Sequence, residues 1–334
     1  MTDTYRVIER DGCHADYLLH KYFVNDFRTG YVEVGRNKTC LPIKYLKFKD
    51  QIRDFAIRNE DVWVISHPET GTIWLQEMVW CILHNLDFQK AKAPLQERVP
   101  FLEYSILYDF ENINLQNNME IPADTLKSVT YVSKKKGSRC IKTHLPWELL
   151  PSAIQTRKSK SKILYICRNP KDTCVSYYHH CRLVEGFTGS FEDFCELFMA
   201  GRVSFSPYLK HIKEFWERRN EPNILFLKYE DLKTNLRGEI KKVSQFLEKD
   251  LSPEQVEILA RHLSCENMRS NPSVNYEDVL NMNEKRTSVA DAYAGHELIM
   301  NGAVGSYKSQ MNPELIMKFD NWINQTMENI PLHF

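Results

Sequence analysis

The feature of this sequence that most constrains its fold is an alternation of short apolar segments with helical stretches. Four segments are rich in β-branched and aromatic residues and are bounded by turn residues, which predicts strands; they are Val62–Ser66, Cys140–Thr143, Ile163–Arg168 and Ile224–Lys228. Helices are predicted at Thr72–Leu86, Pro170–Cys181, Phe191–Ala200, Pro207–Arg219, Leu236–Leu247, Pro253–Leu263 and Glu314–Met327. Strands that are apolar throughout are typical of a parallel sheet covered on both faces. The pattern therefore predicts the α/β class, with a central parallel sheet flanked by helices.

Length and composition indicate one large folded unit. The chain has 334 residues, 43% of them hydrophobic, and at this size roughly 75% of the surface of the unfolded chain can be buried. A prior of ~150 residues per domain would allow two domains, but no linker divides the chain, so a single domain over residues 1–334 is expected. The 44 basic and 44 acidic residues give zero formal charge. Because proteins that hold nucleic acid by charge usually carry a basic excess, no nucleic-acid partner is expected, and any anion site must be local.

Cysteine usage and hydropathy bear on the compartment. The nine cysteines are an odd number without a C-x-x-C pair, which favours free thiols in a reducing compartment over a disulfide framework. The polar start of the chain, and the lack of an apolar run near the ~18 residues of a membrane span, predict a cytoplasmic protein with no membrane partner. Cys174, His180 and Cys181 lie close together in the sequence, but a tetrahedral metal site needs four suitably placed ligands, so no metal is expected.

The turn after the first predicted strand is the first candidate for a binding site. Residues 66–74, S-H-P-E-T-G-T-I-W, lead from a strand into a helix, an arrangement that points backbone N–H groups and a helix dipole at an anion. The P-loop pattern G-x-x-x-x-G-K-[ST] is not met, because Ser66 replaces its first glycine and Thr72 replaces its lysine. A plain strand-to-helix junction, with Gly71 for tight packing, explains the turn alone equally well.

Several short blocks of the sequence, taken together, point to a known family. They are P-E-T-G-T-I-W at 68–74, R-V-P-F-L-E at 98–103, K-T-H-L-P at 142–146, C-R-N-P-K-D at 167–172, V-S-Y-Y at 175–178 and Y-E-D at 229–231, followed by N-P at 271–272 and the glycines at 302 and 305. In this order they resemble the blocks of the cytosolic sulfotransferases, whose loop is P-K-S-G-T-T-W. The resemblance implies a P-loop-like α/β domain that transfers a sulfuryl group from 3′-phosphoadenosine 5′-phosphosulfate (PAPS) to a hydroxyl or an amine.

The resemblance implies two catalytic residues, Lys142 and His144, at the end of a predicted strand. In the family the histidine takes the proton of the acceptor hydroxyl, and the lysine stabilises charge on the transferring sulfuryl group. An ordinary histidine pKa near ~6.5 suits a general base at neutral pH. Without the K-T-H-L-P block, a lone histidine near a strand end would more often be structural. His67, His179 and His180 lack such a block.

The resemblance also implies which residues hold PAPS, the co-substrate. Arg168 and Ser176 match contacts of the 3′-phosphate, and a guanidinium fork fits phosphate geometry. Trp74 and Tyr229 match residues beside the adenine, although core packing would explain both rings as well. The full set expected at the nucleotide site is Thr70, Gly71, Thr72, Trp74, Arg168, Ser176, Tyr229, Ser264 and Gly302.

Several positions depart from the family pattern. Glu69 stands where the family has a loop lysine that assists departure of the phosphate, so the charge is reversed at the bond being broken. Two unit charges ~4 Å apart interact by roughly 4 kcal/mol at an effective dielectric near ~20, so turnover should suffer unless another cation compensates or Glu69 is protonated. Met300 and Asn301 replace two basic residues, which should weaken PAPS binding. The remaining departures are Ile73, Leu263 and Cys265.

Two functions of different classes remain open. The first is a PAPS-dependent sulfotransferase acting on a hydroxyl of a small apolar acceptor, with His144 as general base. The second is a weak or inactive protein of the same fold that binds a nucleotide, a hydrophobic ligand or a protein partner. A P-loop phosphotransferase is not expected, because the Walker lysine is missing. The acceptor is open, although aromatic residues at 23–31 and 101–110 could line an apolar pocket, and so is the oligomeric state, because the family's dimer segment is unrecognisable at Lys308–Met317.

Overall fold

Two sheets organise the computed structural model, which describes residues 4–23, 28–109, 123–275 and 302–334. A small antiparallel sheet has the order β1–β2–β3, with bounds Tyr5–Val7, Tyr31–Val34 and Thr39–Pro42. A parallel sheet has the order β5–β4–β6–β7, where β4 is Val62–Ser66, β5 is Cys140–Thr143, β6 is Lys162–Cys167 and β7 is Ile224–Lys228. The predicted α/β class with a central parallel sheet is confirmed.

The four predicted strands are all present in the parallel sheet. Three have the predicted bounds, and β6 begins and ends one residue earlier than predicted. The last residue of the prediction, Arg168, has left the ladder because its backbone N–H donates to the hydroxyl of Tyr208, at 3.0 Å.

Helices cover both faces of this sheet and connect its strands. Those of six or more residues in the described ranges are His14–Tyr22, Tyr45–Arg53, Thr72–Leu83, Ser128–Lys134, Pro170–Val184, Phe191–Met199, Tyr208–Trp216, Tyr229–Thr234, Leu236–Phe246, Pro253–His262, Cys265–Ser270 and Pro313–Thr326. Shorter helical turns lie at Lys90–Lys92, Leu95–Arg98, Tyr104–Ile106, Ala123–Leu126, Trp147–Leu149, Ser152–Gln155 and Ser306–Ser309. All seven predicted helices are present. The first ends at Leu83, three residues before the predicted end, because Asn85 and Leu86 adopt positive φ angles of 53° and 59°.

Alternate residues of the strands pack on opposite faces of the parallel sheet. Trp63 and Ile65 belong to one buried cluster, whereas Val62 and Val64 belong to the other. The neighbouring β6 divides its side chains between the same two clusters. Because both faces are covered by apolar residues, the strands are apolar throughout, as the sequence predicts.

The antiparallel sheet and the helices His14–Tyr22 and Tyr45–Arg53 have no counterpart among the predicted elements. Its strands are only three or four residues long, which is too short for a period-two pattern to stand out from chance. The small sheet is tied to the rest of the fold at Cys40, whose backbone N–H donates to the carbonyl of Ser206, at 2.8 Å. Long-range contacts of this kind leave no local signal in the sequence.

The cysteine prediction is confirmed by the structure. All nine thiols are free, and seven of them are buried, with Cys13 exposed and Cys265 half-buried. Among the residues that the structure describes, no helix combines the length and the apolar character that crossing a bilayer would require.

A buried ion pair joins the starts of β4 and β5. Arg139 Nε and Nη2 lie 2.8 and 2.5 Å from the two carboxylate oxygens of Asp61, and neither side chain exceeds 1% exposure. Arg139 also donates to the carbonyl of Ala56 at 2.9 Å. Because Asp61 and Arg139 directly precede their strands, the pair fixes how β4 and β5 enter the sheet.

We expect Arg139→Met to lower the free energy of unfolding by about 3–5 kcal/mol, because the carboxylate of Asp61 is left buried without its partner. Urea unfolding followed by circular dichroism measures this loss. The double variant Asp61→Leu/Arg139→Met should lose less than the single variant, since it leaves no unpaired charge. A single variant within ~1 kcal/mol of the wild type would contradict this role, since losses that small are typical of exposed ion pairs.

Candidate active site

The residues that follow the four parallel strands come together at one edge of the sheet. His67 follows β4, His144 follows β5, Arg168 follows β6 and Tyr229 follows β7. The carboxyl ends of parallel strands are where α/β proteins collect their ligands. Three of these four residues are site residues that the sequence predicts.

The imidazole of His144 has a defined tautomer. Its Nδ1 lies 2.7 Å from the carbonyl oxygen of Ser66, and a carbonyl oxygen can only accept a hydrogen bond, so Nδ1 carries the proton. The Nε2 atom then holds a lone pair. Burial, together with the charge of Lys142, holds the pKa of His144 well below its ordinary value of 6.5. At neutral pH His144 is therefore an uncharged base.

Two further residues that sequence reasoning did not single out hold the main chain of His144 in place. Glu103 accepts a hydrogen bond from the backbone N–H of His144, at 2.6 Å, and burial raises the pKa of Glu103 to about 7. His211 Nε2 donates to the backbone carbonyl of His144, at 3.1 Å. The rings of Phe101 and Phe205 meet the imidazole with centroid distances of 5.0 and 5.4 Å. The imidazole is thus fixed in a partly apolar setting.

Lys142 lies on β5, two residues before His144. Its ammonium is 4.3 Å from the ring centroid of Phe101. Within the described part of the chain, the ammonium has no hydrogen-bond or ion-pair partner. Burial lowers the pKa of Lys142 to about 8, although the carboxylates of Glu103 and Glu69 oppose this effect. Most of the lysine population is charged at pH 7, and the ammonium is available to an anion.

The turn between β4 and its helix is held by its own threonines. Thr70 donates from its hydroxyl to the carbonyl of His67, at 2.8 Å, and the Thr72 hydroxyl lies 2.6 Å from that of Ser66. Gly71 starts the helix with a φ of 97°, and a Cβ at this position would lie 2.6 Å from the ring of Tyr229. Only glycine fits there. The Thr70 side chain is therefore engaged inside the turn, whereas the turn presents the helix N-terminus to the cleft.

Four of the predicted nucleotide residues lie close to one another. The rings of Trp74 and Tyr229 are 5.7 Å apart in an edge-to-face arrangement. Trp74 Nε1 donates to the carbonyl of Leu263, at 2.9 Å, beside Ser264, whose hydroxyl caps the next helix. The hydroxyl of Tyr229 donates to the carbonyl of Gly302, at 2.8 Å.

Arg168 is buried between these elements. Its guanidinium lies 4.5 Å from the ring centroid of Tyr229 and contacts the carbonyl oxygens of Glu69 and Ala303 at 3.3 and 3.5 Å. Within the described residues its Nε–H is buried without a hydrogen-bond partner. The carboxylate of Asp172 accepts hydrogen bonds from the backbone N–H groups of Gly305 and Tyr307 and from the Ser306 hydroxyl. The guanidinium is therefore part of the cleft, and one donor is left for a ligand.

Glu69 is held by residues of the helix Pro170–Val184. The hydroxyl of Ser176 donates to Glu69 Oε2, at 2.6 Å, and His180 Nδ1 lies 3.1 Å from Glu69 Oε1, an ion-pair contact. Burial alone would raise the pKa of Glu69, but His180, Ser176 and Arg168 together hold it below its ordinary value. Glu69 is therefore an ionised carboxylate with a cation beside it, not the protonated acid that the sequence left open.

Sequence reasoning gave His180 no role, although one signal was present. Ser176 and His180 are four residues apart on one helix, and residues at this spacing share a face. Met300 and Asn301, which replace two basic residues of the family pattern, lie outside the described residues. The thiol of Cys174 contacts the thiol of Cys195, with the sulfur atoms 3.7 Å apart. Its partner is therefore Cys195 and not His180, its neighbour in the sequence.

One group of possible metal ligands lies in the described part of the chain. Glu77, Cys81 and His262 place one ligand atom each within 4.8 Å of one another. However, Glu77 already shares its charge with Arg98 at 2.8 Å and with His262 at 2.7 Å. The cluster is explained as a buried carboxylate balanced by two basic groups.

Comparisons with known proteins agree with this geometry. Residues 59–331 match the model of the sulfotransferase domain. The luciferin sulfotransferase of Photinus pyralis is 38% identical over 310 residues, which cover 93% of this chain and 83% of that relative. The amine sulfotransferase of Oryctolagus cuniculus is 34% identical over 292 residues, or 86% of this chain and 88% of the relative.

Solved structures give the same result. Retinol dehydratase, crystallised with androsterone and the inactive cofactor PAP, is 30% identical with a TM-score of 0.88, and the match covers 100% of this chain and 99% of that chain. The same enzyme crystallised with retinol and PAP has a TM-score of 0.87 at 30% identity, covering 99% and 98% of the two chains. The resemblance of the sequence blocks is confirmed, and the chain belongs to the sulfotransferase family.

Proposed function

We propose that this sulfotransferase moves the sulfuryl group of PAPS to the hydroxyl of a small apolar acceptor, with His144 as the general base. The observation that carries the proposal is the tautomer of His144. Because Nδ1 donates to the carbonyl of Ser66, Nε2 is left to accept a proton. Its low pKa keeps it unprotonated at neutral pH.

The reaction divides between two strand-end residues. The acceptor O–H bond breaks, its proton goes to His144 Nε2, and its oxygen forms a bond to sulfur. The bond between sulfur and the 5′-phosphate oxygen breaks, and 3′,5′-phosphoadenosine (PAP) leaves. Lys142 stabilises the negative charge on the sulfuryl oxygens in the transition state, because an ammonium in a water-poor site acts strongly on developing charge.

The predicted nucleotide residues suggest how the donor is held. The orphaned Nε–H of Arg168 would hold the 3′-phosphate, joined by the hydroxyl of Ser176 when that hydroxyl turns away from Glu69, and the N-terminus of the helix starting at Thr72 would hold the 5′-phosphate. Trp74 and Tyr229 would flank the adenine. Thr70, Gly71, Ser264 and Gly302 shape this site. PAP in the retinol dehydratase structures supports PAPS as co-substrate.

An apolar acceptor suits the surroundings of the base. Phe101 and Phe205 flank the imidazole, and such rings favour apolar ligands with one polar group. The related retinol dehydratase was crystallised with androsterone and with retinol. We therefore propose a hydroxylated, largely apolar small molecule as the acceptor.

A second candidate is a binding protein without turnover, and the charge of Glu69 favours it. A carboxylate near the departing phosphate would raise the barrier, and the rate falls about tenfold for every 1.36 kcal/mol that is added. The two candidates differ in one measurable result, which is sulfuryl transfer by the wild type.

We expect His144→Ala to lower kcat by about 10²- to 10⁴-fold, because the general base is removed. The assay follows label from the sulfuryl group of PAPS into a panel of apolar alcohols and phenols. His14→Ala, at an exposed histidine, is the matched control and should keep the wild-type rate. Equal rates for both variants would exclude His144 as the base.

The low pKa of His144 also predicts the acid side of the pH profile. The base must be unprotonated to accept the proton. Because the pKa of His144 in the folded protein lies well below 6.5, kcat/KM should stay constant as the pH is lowered to 6.5 and should fall only at lower pH. The dependence of kcat/KM on pH reports the free enzyme. A fall with a midpoint at or above pH 6.5 would contradict the proposed state of His144.

We expect Arg168→Met to weaken PAP binding by about 10- to 100-fold, which corresponds to one charge-assisted hydrogen bond. Isothermal titration calorimetry with PAP measures the change in Kd. Arg237→Met, at an exposed arginine paired with Glu257, is the control and should leave Kd unchanged. Unaltered affinity in Arg168→Met would place the 3′-phosphate elsewhere.

A further inference from the structure

His180 lies between two carboxylates. Its Nδ1 is 3.1 Å from Glu69 Oε1, and its Nε2 is 3.7 Å from Glu185 Oε1. A carboxylate oxygen cannot donate a hydrogen bond, so a neutral imidazole would point a lone pair at one of these oxygens. Two carboxylates at ion-pair distance favour the imidazolium, which carries a proton on both nitrogens.

The second carboxylate is already balanced. Arg28 Nη1 lies 2.8 Å from Glu185 Oε2, and the two side chains are only 3% and 5% exposed. Because Arg28 neutralises Glu185, the charge of His180 is left for Glu69. The charges alternate along this row from Arg28 through Glu185 and His180 to Glu69.

Other groups near His180 do not reverse this balance. The charge of Lys142, on β5, lowers the pKa of His180. The ring centroid of Tyr177 lies 5.7 Å from that of the imidazole. Burial lowers the pKa of His180, but Glu69 and Glu185 outweigh it, so the pKa lies above its ordinary value.

We propose that His180 is a positioning residue whose imidazolium offsets the charge of Glu69, so that no uncompensated carboxylate stands where the family loop has a lysine. The inference rests on the proposed sulfuryl transfer. In that step the electron pair of the breaking bond stays on the 5′-phosphate oxygen, and the acceptor's proton goes to His144.

This inference explains how a carboxylate can occupy the lysine position. Glu69 alone would repel the departing phosphate, whereas the pair of Glu69 and His180 carries no net charge. The helix Pro170–Val184 brings both parts together, since Ser176 and His180 both contact Glu69.

A double-mutant cycle tests the proposal. His180→Gln should lower kcat by about 100-fold in the wild-type background, because Glu69 is then left to repel the departing phosphate. In the Glu69→Lys background, which supplies its own cation, His180→Gln should change kcat by no more than about twofold, as for uncoupled sites. His179→Gln, at the neighbouring half-buried histidine that contacts Gln310, is the matched control and should keep the wild-type kcat in both backgrounds.

Each outcome decides the matter. An active wild type that His180→Gln leaves unchanged overturns the role of His180 alone, and so does an equal loss in both backgrounds, which would indicate a purely structural part. A silent wild type that Glu69→Lys activates overturns both the natural activity and the replacement cation.

A spectroscopic measurement covers the case in which His180→Gln does not fold. Nitrogen NMR of the wild-type imidazole should show both ring nitrogens protonated at pH 7, and Glu69→Gln should lower the pKa of His180 because its partner charge is lost. A neutral His180 at pH 7 in the wild type would overturn the proposal.

Discussion

The parallel pairing of β4 with β5 and β6 is the constraint on which the rest of the site depends. Ile65 stands opposite both Thr143 and Tyr165 in the ladder, so the three strands end within two residues of one another. The residues that follow them, His144 and Arg168 among them, then lie at the same edge of the sheet. The hydrogen bond from His144 Nδ1 to the last residue of β4 is a direct consequence, and it sets the tautomer on which the proposed chemistry depends.

Electrostatic balance in this cleft is local. The chain has zero formal charge, but its buried charges are arranged in rows, as from Arg28 to Glu69. Each buried carboxylate that is paired with a cation avoids the large cost of an isolated charge in a poorly solvated place. The charge reversal at Glu69 therefore has a structural counterpart in His180. Lys142 and Arg168 remain as cations that face the cleft.

Much of the fold follows from local sequence properties, and part of the site does not. The apolar strands and the helix ends were predictable because burial on both faces and turn residues act within a few positions. Lys142 and His144 were found through the blocks in which they lie. The contact of His180 with Glu69 joins a loop and a helix more than a hundred residues apart, and only tertiary packing brings them together. For the same reason the roles of Glu103 and His211 left no local signal.

The central claim is that this cleft carries out sulfuryl transfer and does not merely bind the nucleotide. The most direct test is a stoichiometric turnover measurement with wild-type protein, labelled PAPS and a hydroxylated apolar acceptor. We expect one molecule of labelled sulfate ester for each molecule of PAP released, over many turnovers. PAP binding with no sulfate ester formed from any acceptor of the panel would contradict it.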